Sequence, residues 1–179
     1  MAMTLITNSA DTDSTDVANI SFTGIDNTYK LYIFKFIDIH PEASAAKLRV
    51  QFNIAGESGY NETITSTFFD AEHSEADDTP TLGYKTAVDQ ANSSGEVNLT
   101  REIGGENNES AAGTLWLFNP ASTTFNTHFC SRISSHYHAD YNMDNFVSGY
   151  VSGAGAVDEV QFTVESDNFN GTIKMYGVS

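Results

Sequence analysis

From Lys47 to Ile54, apolar Leu48, Val50, Phe52 and Ile54 alternate one for one with polar neighbours. A period of two sends successive side chains to opposite faces of an extended backbone, so this segment predicts a strand with one buried and one wet face. It stops at Ala55-Gly56-Glu57-Ser58-Gly59, whose two glycines read as a turn. Glu62 to Phe69 follows, rich in β-branched and aromatic residues, and the two segments together predict a hairpin.

The same logic extends along the chain. Tyr29 to Ile39 is apolar on both faces; its β-branched and aromatic content, and the stop at His40-Pro41, favour a central strand over a helix. Val17 to Thr23 predicts a strand before the Gly24-Ile25-Asp26-Asn27 turn. Asp70 to Asp78 reads as an acidic loop with room for one helical turn, closed by Pro80 and Gly83, and Val97 to Thr100 as a short strand. Gly113 to Phe118 alternates Leu115 and Leu117 with Trp116 and Phe118. Phe125 to Tyr137 sets Phe125, Phe129, Ile133 and Tyr137 on one side of a long strand. Phe146–Val151, Val157–Val164 and Thr172–Val178 complete about eight to ten strands, and no segment carries the 3.6-residue apolar period of an amphipathic helix. The predicted fold is all-β, a two-sheet sandwich of jelly-roll or Greek-key type.

Composition sharpens this picture. A chain of 179 residues is one domain's worth, with no break in composition and no fixed-period repeat. The polar, core-poor segment 1–16 predicts an N-terminal arm, and 17–179 a single sandwich. With 8 Lys and Arg against 24 Asp and Glu, the formal charge is −16. That charge argues against nucleic acid, which needs clustered cations, and against an anionic membrane surface. The apolar run from Tyr29 is interrupted by Lys30, Lys35 and Asp38, far short of the roughly 20 apolar residues of a spanning helix. Met1 to Ile6 carries no positive leader, so synthesis and folding in a cytoplasm are expected. Cys130 is the only cysteine, which excludes an intrachain disulfide and points to a small buried hydrophobe.

Candidate chemistry is sparse. His136 and His138, with His128 at the same parity, would face one way on a strand and could share a metal ion; with no nearby Cys or Glu-x-x-His pattern, a wet strand face that happens to carry histidines is the favoured account. Asp11 to Asp16 resembles a calcium loop, but Asp16 and Phe22 stand where an EF-hand needs glycine and glutamate. A looser calcium site there, or in Asp70 to Asp78, competes with plain solvated acids. No Gly-x-Ser-x-Gly and no phosphate-binding glycine loop occurs. The expectation is therefore a protein that is not an enzyme, with no catalytic, cofactor-binding or metal residues assigned and no cofactor. Rings in predicted turns, Tyr60, Tyr84 and Tyr141, are candidates for stacking on sugar, whereas Trp116, inside an apolar strand, is expected in the core.

Three stretches carry a resemblance. Ser21 to Tyr32 (SFTGIDNTYKLY), Leu117 to Ser122 (LFNPAS) and Gly171 to Val178 (GTIKMYGV) resemble landmarks of small β-sandwich virion proteins of marine tailed bacteriophages. These motifs mark strand ends and turns and transfer no catalytic residue. The resemblance implies a virion structural protein made in the host cytoplasm, decorating or stabilising the outside of the capsid. Its implied partners are the major capsid or another virion protein, with further copies of itself in a homo-oligomer, a trimer being favoured. Neither nucleic acid nor membrane is an implied partner. The alternative is a tail-associated receptor- or carbohydrate-binding module.

Overall fold

A computed structural model describes residues 2–8, 16–78, 80–153 and 155–179. Twelve strands form among them: β1 (Met3–Asn8), β2 (Asn19–Phe22), β3 (Leu31–Pro41), β4 (Leu48–Ile54), β5 (Ile64–Ser74), β6 (Thr81–Tyr84), β7 (Val97–Asn98), β8 (Ala111–Phe118), β9 (Thr127–Tyr137), β10 (Tyr141–Val151), β11 (Val157–Val164) and β12 (Phe169–Val178). They build two antiparallel sheets. The large one runs β1-β12-β3-β8-β9-β10-β5-β6 and the small one β2-β11-β4-β7. The fold is an all-β, two-sheet sandwich whose chain crosses repeatedly between layers.

Alternation decides which face each strand buries. Tyr32, Phe34 and Phe36 on β3, Leu115 and Leu117 on β8, Phe129 and Ile133 on β9, and Ile173 and Met175 on β12 all point into the interior. They meet Leu48, Val50 and Phe52 of β4 and Val160 and Phe162 of β11. Phe162 sits edge-on to Phe34 and Phe36, at centroid separations of 5.3 and 5.1 Å, and Phe22 lies edge-on to Phe34 at 5.4 Å. Edge-to-face packing satisfies the ring quadrupoles and adds to plain burial.

The three landmark stretches converge at one end of the large sheet. The Tyr32 hydroxyl donates to Asp26, whose carboxylate also accepts the Thr28 N–H at 2.8 Å. Asn119 N–H donates to the Lys30 carbonyl at 2.7 Å. Gly177 lies flat under the Tyr29 ring, where a Cβ would come within 2.2 Å of a ring carbon. The conformational demand on these residues is that of strand ends held together.

Four expectations need correction. Segments 47–54 and 62–69 are not a hairpin: β4 belongs to the small sheet and β5 to the large one, so the connection between them, 55–63, carries the chain from one sheet to the other. Asp70 to Ser74 is not loop but the end of β5, in register with Tyr141–Asn145. Its polarity hid it: Asp70 is fully buried, held by Lys85 Nζ at 3.2 Å and Arg101 at 3.5 Å. The N-terminal arm is, over Met3–Asn8, an edge strand paired with β12; its exposed Met3, Leu5 and Ile6 give no core signal. Phe125 precedes β9 and is 71% exposed rather than inward.

Candidate functional site

Four strands cannot cover eight, and no described strand packs on the far face of the large sheet. Register shows what that face displays. One row crosses the strands as Tyr176, Ile33, Trp116, Cys130, Ser148 and Thr67. On one side runs Val178, Leu31, Phe118, His128 and Tyr150; on the other run Lys174, Lys35, Thr114, Arg132, Phe146, Phe69 and Tyr84. Flat rings and hydrogen-bonding groups therefore share one open surface.

Several of these groups are fixed by neighbours. Arg132 grips the Asp144 carboxylate through two nitrogens, at 2.6 and 3.1 Å, and its Cζ lies 5.0 Å above the Phe146 ring. The bonds to Asp144 hold the Arg132 proton more tightly than usual. Phe146 in turn stacks on Phe69 with centroids 4.8 Å apart and planes 4° from parallel. Lys35 Nζ donates to Thr114 Oγ1 at 2.8 Å. Beside Trp116, Cys130 is half-buried, and burial pushes its thiol up.

Grooves mark the same face. A cavity of about 500 Å³ is lined by residues including His73, Glu75, Ser134, His136, Tyr141 and Asn142. It adjoins a space of about 400 Å³ bounded by Ala112, Arg132, Ser134, Asn142 and Asp144. Towards the other end of β9, His128, Ser148, Tyr150 and Thr67 line a smaller recess of about 240 Å³.

The predicted site residues separate here. His128 and His136 both lie on the outer face but at opposite ends of β9, and His138 follows the strand, so the three histidines share no ion. His136 instead meets Glu109 and Asp140, one ligand atom from each lying within 4.8 Å of the others. His136 Nε2 is buried without a hydrogen-bond partner, 4.0 Å from both Glu75 and Asp140. This nitrogen-and-carboxylate set suits a divalent cation in type. The spacing exceeds the roughly 3.3 Å between donors that ~2.0–2.1 Å bonds to one tetrahedral ion impose, so binding would require contraction. Of the two acidic stretches, residues 11–15 lie outside the described residues, and Asp70 is consumed by its buried ion pairs.

Of the candidate rings, Tyr84 lies on the outer face opposite Phe69 and Tyr141 lines the large groove, while the Tyr60 hydroxyl is tied to Glu159 at 2.7 Å. Trp116 corrects the core expectation: it points away from the interior that Leu115 and Leu117 fill. Its parity, opposite to that of two leucines, was the signal. The outward rings of Phe118, Phe146, Phe69 and Tyr176 escape a sequence reading for the same reason, because a strand apolar on both sides reads as wholly buried.

No known family model matches the chain, and no curated protein matches its sequence. Among solved structures it is similar to the Caenorhabditis elegans galectin LEC-6, at 10% identity and TM-score 0.32, over 90% of this chain and 91% of that one. It is also similar to a chain from work on endo-acting O-glycanases that human gut microbes express to initiate mucin breakdown. There identity is 8% and TM-score 0.31, over 96% of this chain and 78% of the other. Likenesses this loose carry no functional argument.

Proposed function

We propose that this chain is a non-catalytic recognition module that binds carbohydrate on the outer face of its large sheet, in the setting of a receptor-binding component of a phage particle. The observation that carries the reading is Trp116 turned outward, with Phe118 two residues along β8, Tyr176 in the same cross-strand row beyond Ile33, and Arg132, Asp144, Ser134 and Asn142 within the same face. Sugar recognition asks for that combination: an apolar plate for the flat C–H side of a pyranose and planar polar groups for its hydroxyls. Asp144 is committed to Arg132 and is therefore an orienting acceptor rather than a free base. The phage setting rests on the resemblance of residues 21–32, 117–122 and 171–178.

A glycan array spanning plant, algal and microbial polysaccharides tests the reading on the isolated chain. Trp116→Ala is expected to weaken the bound glycan by about tenfold, equivalent to about 1.4 kcal/mol, with an unchanged circular-dichroism spectrum. Absence of any bound glycan, or a Trp116→Ala variant that binds like the parent, would overturn it.

A second reading has its own observation. Met3, Leu5 and Ile6 expose apolar side chains along the β1 edge, which suits symmetric protein contacts of a capsid-decorating trimer. Co-sedimentation with purified capsids, abolished by Leu5→Asp, supports that arrangement; a monomer that ignores capsids excludes it.

A further inference from the structure

The eight cations of this chain are not spread evenly. Lys47, Lys85, Arg49, Arg101 and Arg132 each pair with a carboxylate. Among the described residues Lys30, Lys35 and Lys174 make no such pair, and two of them stand together: Lys174 of β12 and Lys35 of β3 are direct partners on the outer face. Directly opposed side chains have Cβ atoms about 4.5–5.5 Å apart, and like charges so placed oppose folding. In a molecule of net charge −16, carboxylates are plentiful, yet among the described residues register places none beside this pair. Its neighbours across the strands are Asn8 and Thr114, and Thr114 takes only one lysine proton.

The apolar row lies alongside. Ile33 and Tyr176 are two residues on from Lys35 and Lys174, and Trp116 two residues on from Thr114. An anion seated between the two ammonium groups would thus hang from something flat resting on Trp116 and Tyr176. From this geometry we infer that Lys35 and Lys174 form an anion-selecting subsite, and that the ligand is a polysaccharide carrying sulfate or carboxylate groups. The inference rests on the carbohydrate reading above and narrows its substrate class. An acidic protein would satisfy the lysines but leaves the neighbouring ring row without a flat occupant.

The experiment uses the full chain, with dextran sulfate and polygalacturonate as anionic probes and uncharged dextran as the neutral one, by isothermal titration at several salt concentrations. The expected result is binding of an anionic probe that falls tenfold or more in Lys35→Gln/Lys174→Gln and returns in Lys35→Arg/Lys174→Arg. The slope of log affinity against log salt should also be shallower in the glutamine variant. Removing opposed like charges should leave its melting temperature equal or higher, which separates lost binding from lost folding. Anionic binding indifferent to both lysines overturns the inference. So does tight binding of neutral glycans on the array together with rejection of both anionic probes, an outcome that leaves the carbohydrate reading standing. Failure of every glycan removes both. Loss of self-association in the glutamine variant, without polysaccharide binding, also overturns the inference and assigns the lysines to a second copy's acidic surface.

Discussion

Two glutamates show how one residue type is used in opposite ways. Glu62 is nearly buried, and burial raises its carboxyl above the ordinary range, although the Ile54 N–H at 3.1 Å partly compensates. A raised folded-state value means that the fold prefers the protonated acid, so Glu62 contributes stability below its unfolded pKa and loses it as pH rises through the folded one. Glu102 is also partly buried, which raises its carboxyl, but a backbone N–H, Lys47 at 3.1 Å and Arg101 at 3.2 Å outweigh burial and bring it below normal. Its contribution is present above the unfolded pKa and fades as pH falls through the lower folded value. Glu62→Gln is therefore expected to raise the melting temperature at pH 7 relative to the parent, with the advantage shrinking towards pH 4. Glu102→Gln should lower it at pH 7, with the deficit shrinking on acidification. Thermal melts across that range check both signs. Asp70 works through direct ion pairing. Fully buried between Lys85 and Arg101, it is expected to cost about 3 kcal/mol when replaced by Ala, the low end for breaking a buried pair because both cations keep some contact with water. Urea unfolding of Asp70→Ala measures this.

At the scale of elements, the strands legible in the sequence are those whose interior side is apolar and whose exterior side is not. Leu48–Ile54 and Val157–Val164 announce themselves that way, and every apolar position of the alternation is buried on both β4 and β11; on β4, however, the polar Gln51 and Asn53 are buried as well, so the face expected to be wet is covered. Legibility fails where the physics inverts. β5 continues through Asp70 and Ser74 because ion pairs and hydrogen bonds substitute for apolar burial, and composition cannot show a partner that lies about 30 residues away. β1 is invisible because its backbone, not its side chains, does the bonding: it pairs with β12 from Met3↔Val178 to Asn8↔Lys174 while its apolar side chains stay exposed. The open face is half legible. Tyr84 and Tyr141 can be read from their turn-like surroundings, whereas Trp116 reads as core, since which of two apolar faces is covered depends on the width of the opposing sheet. Deleting residues 2–8 follows from the same description. The core loses no side chain, so the shortened chain is expected to fold with a melting temperature several degrees lower, while bare β12 becomes a pairing edge. Size-exclusion chromatography should show more association than in the parent; an elution position unchanged from the parent's would mean that β1 does not guard that edge.

For the molecule as a whole, charge and architecture pull in different directions. Lys47, Arg49, Glu96, Glu102 and Glu165 form a linked cluster of ion pairs across the small sheet and its neighbouring loops. Salt weakens such pairs, but with 24 acidic residues against 8 basic ones, repulsion between like charges outweighs them. Raising sodium chloride from 20 to 300 mM is thus expected to raise the melting temperature, while binding of an anionic polysaccharide weakens over the same range. A melting temperature that falls with salt would mean that the ion-pair cluster dominates the surplus of negative charge.

The pairing of β1 with β12 also brings the Ala2 carbonyl to within 3.3 Å of the Ser179 amide. The two ends leave the sandwich side by side, on the same border of the sheet. A protein arranged this way behaves as a cassette: it can be spliced into an exposed loop of a larger host without stretching either attachment. The outer face of the large sheet would then always face the same way relative to the graft point. Any affinity tag, whichever end carries it, would sit next to Met3 and Val178, at the rim of the ring row.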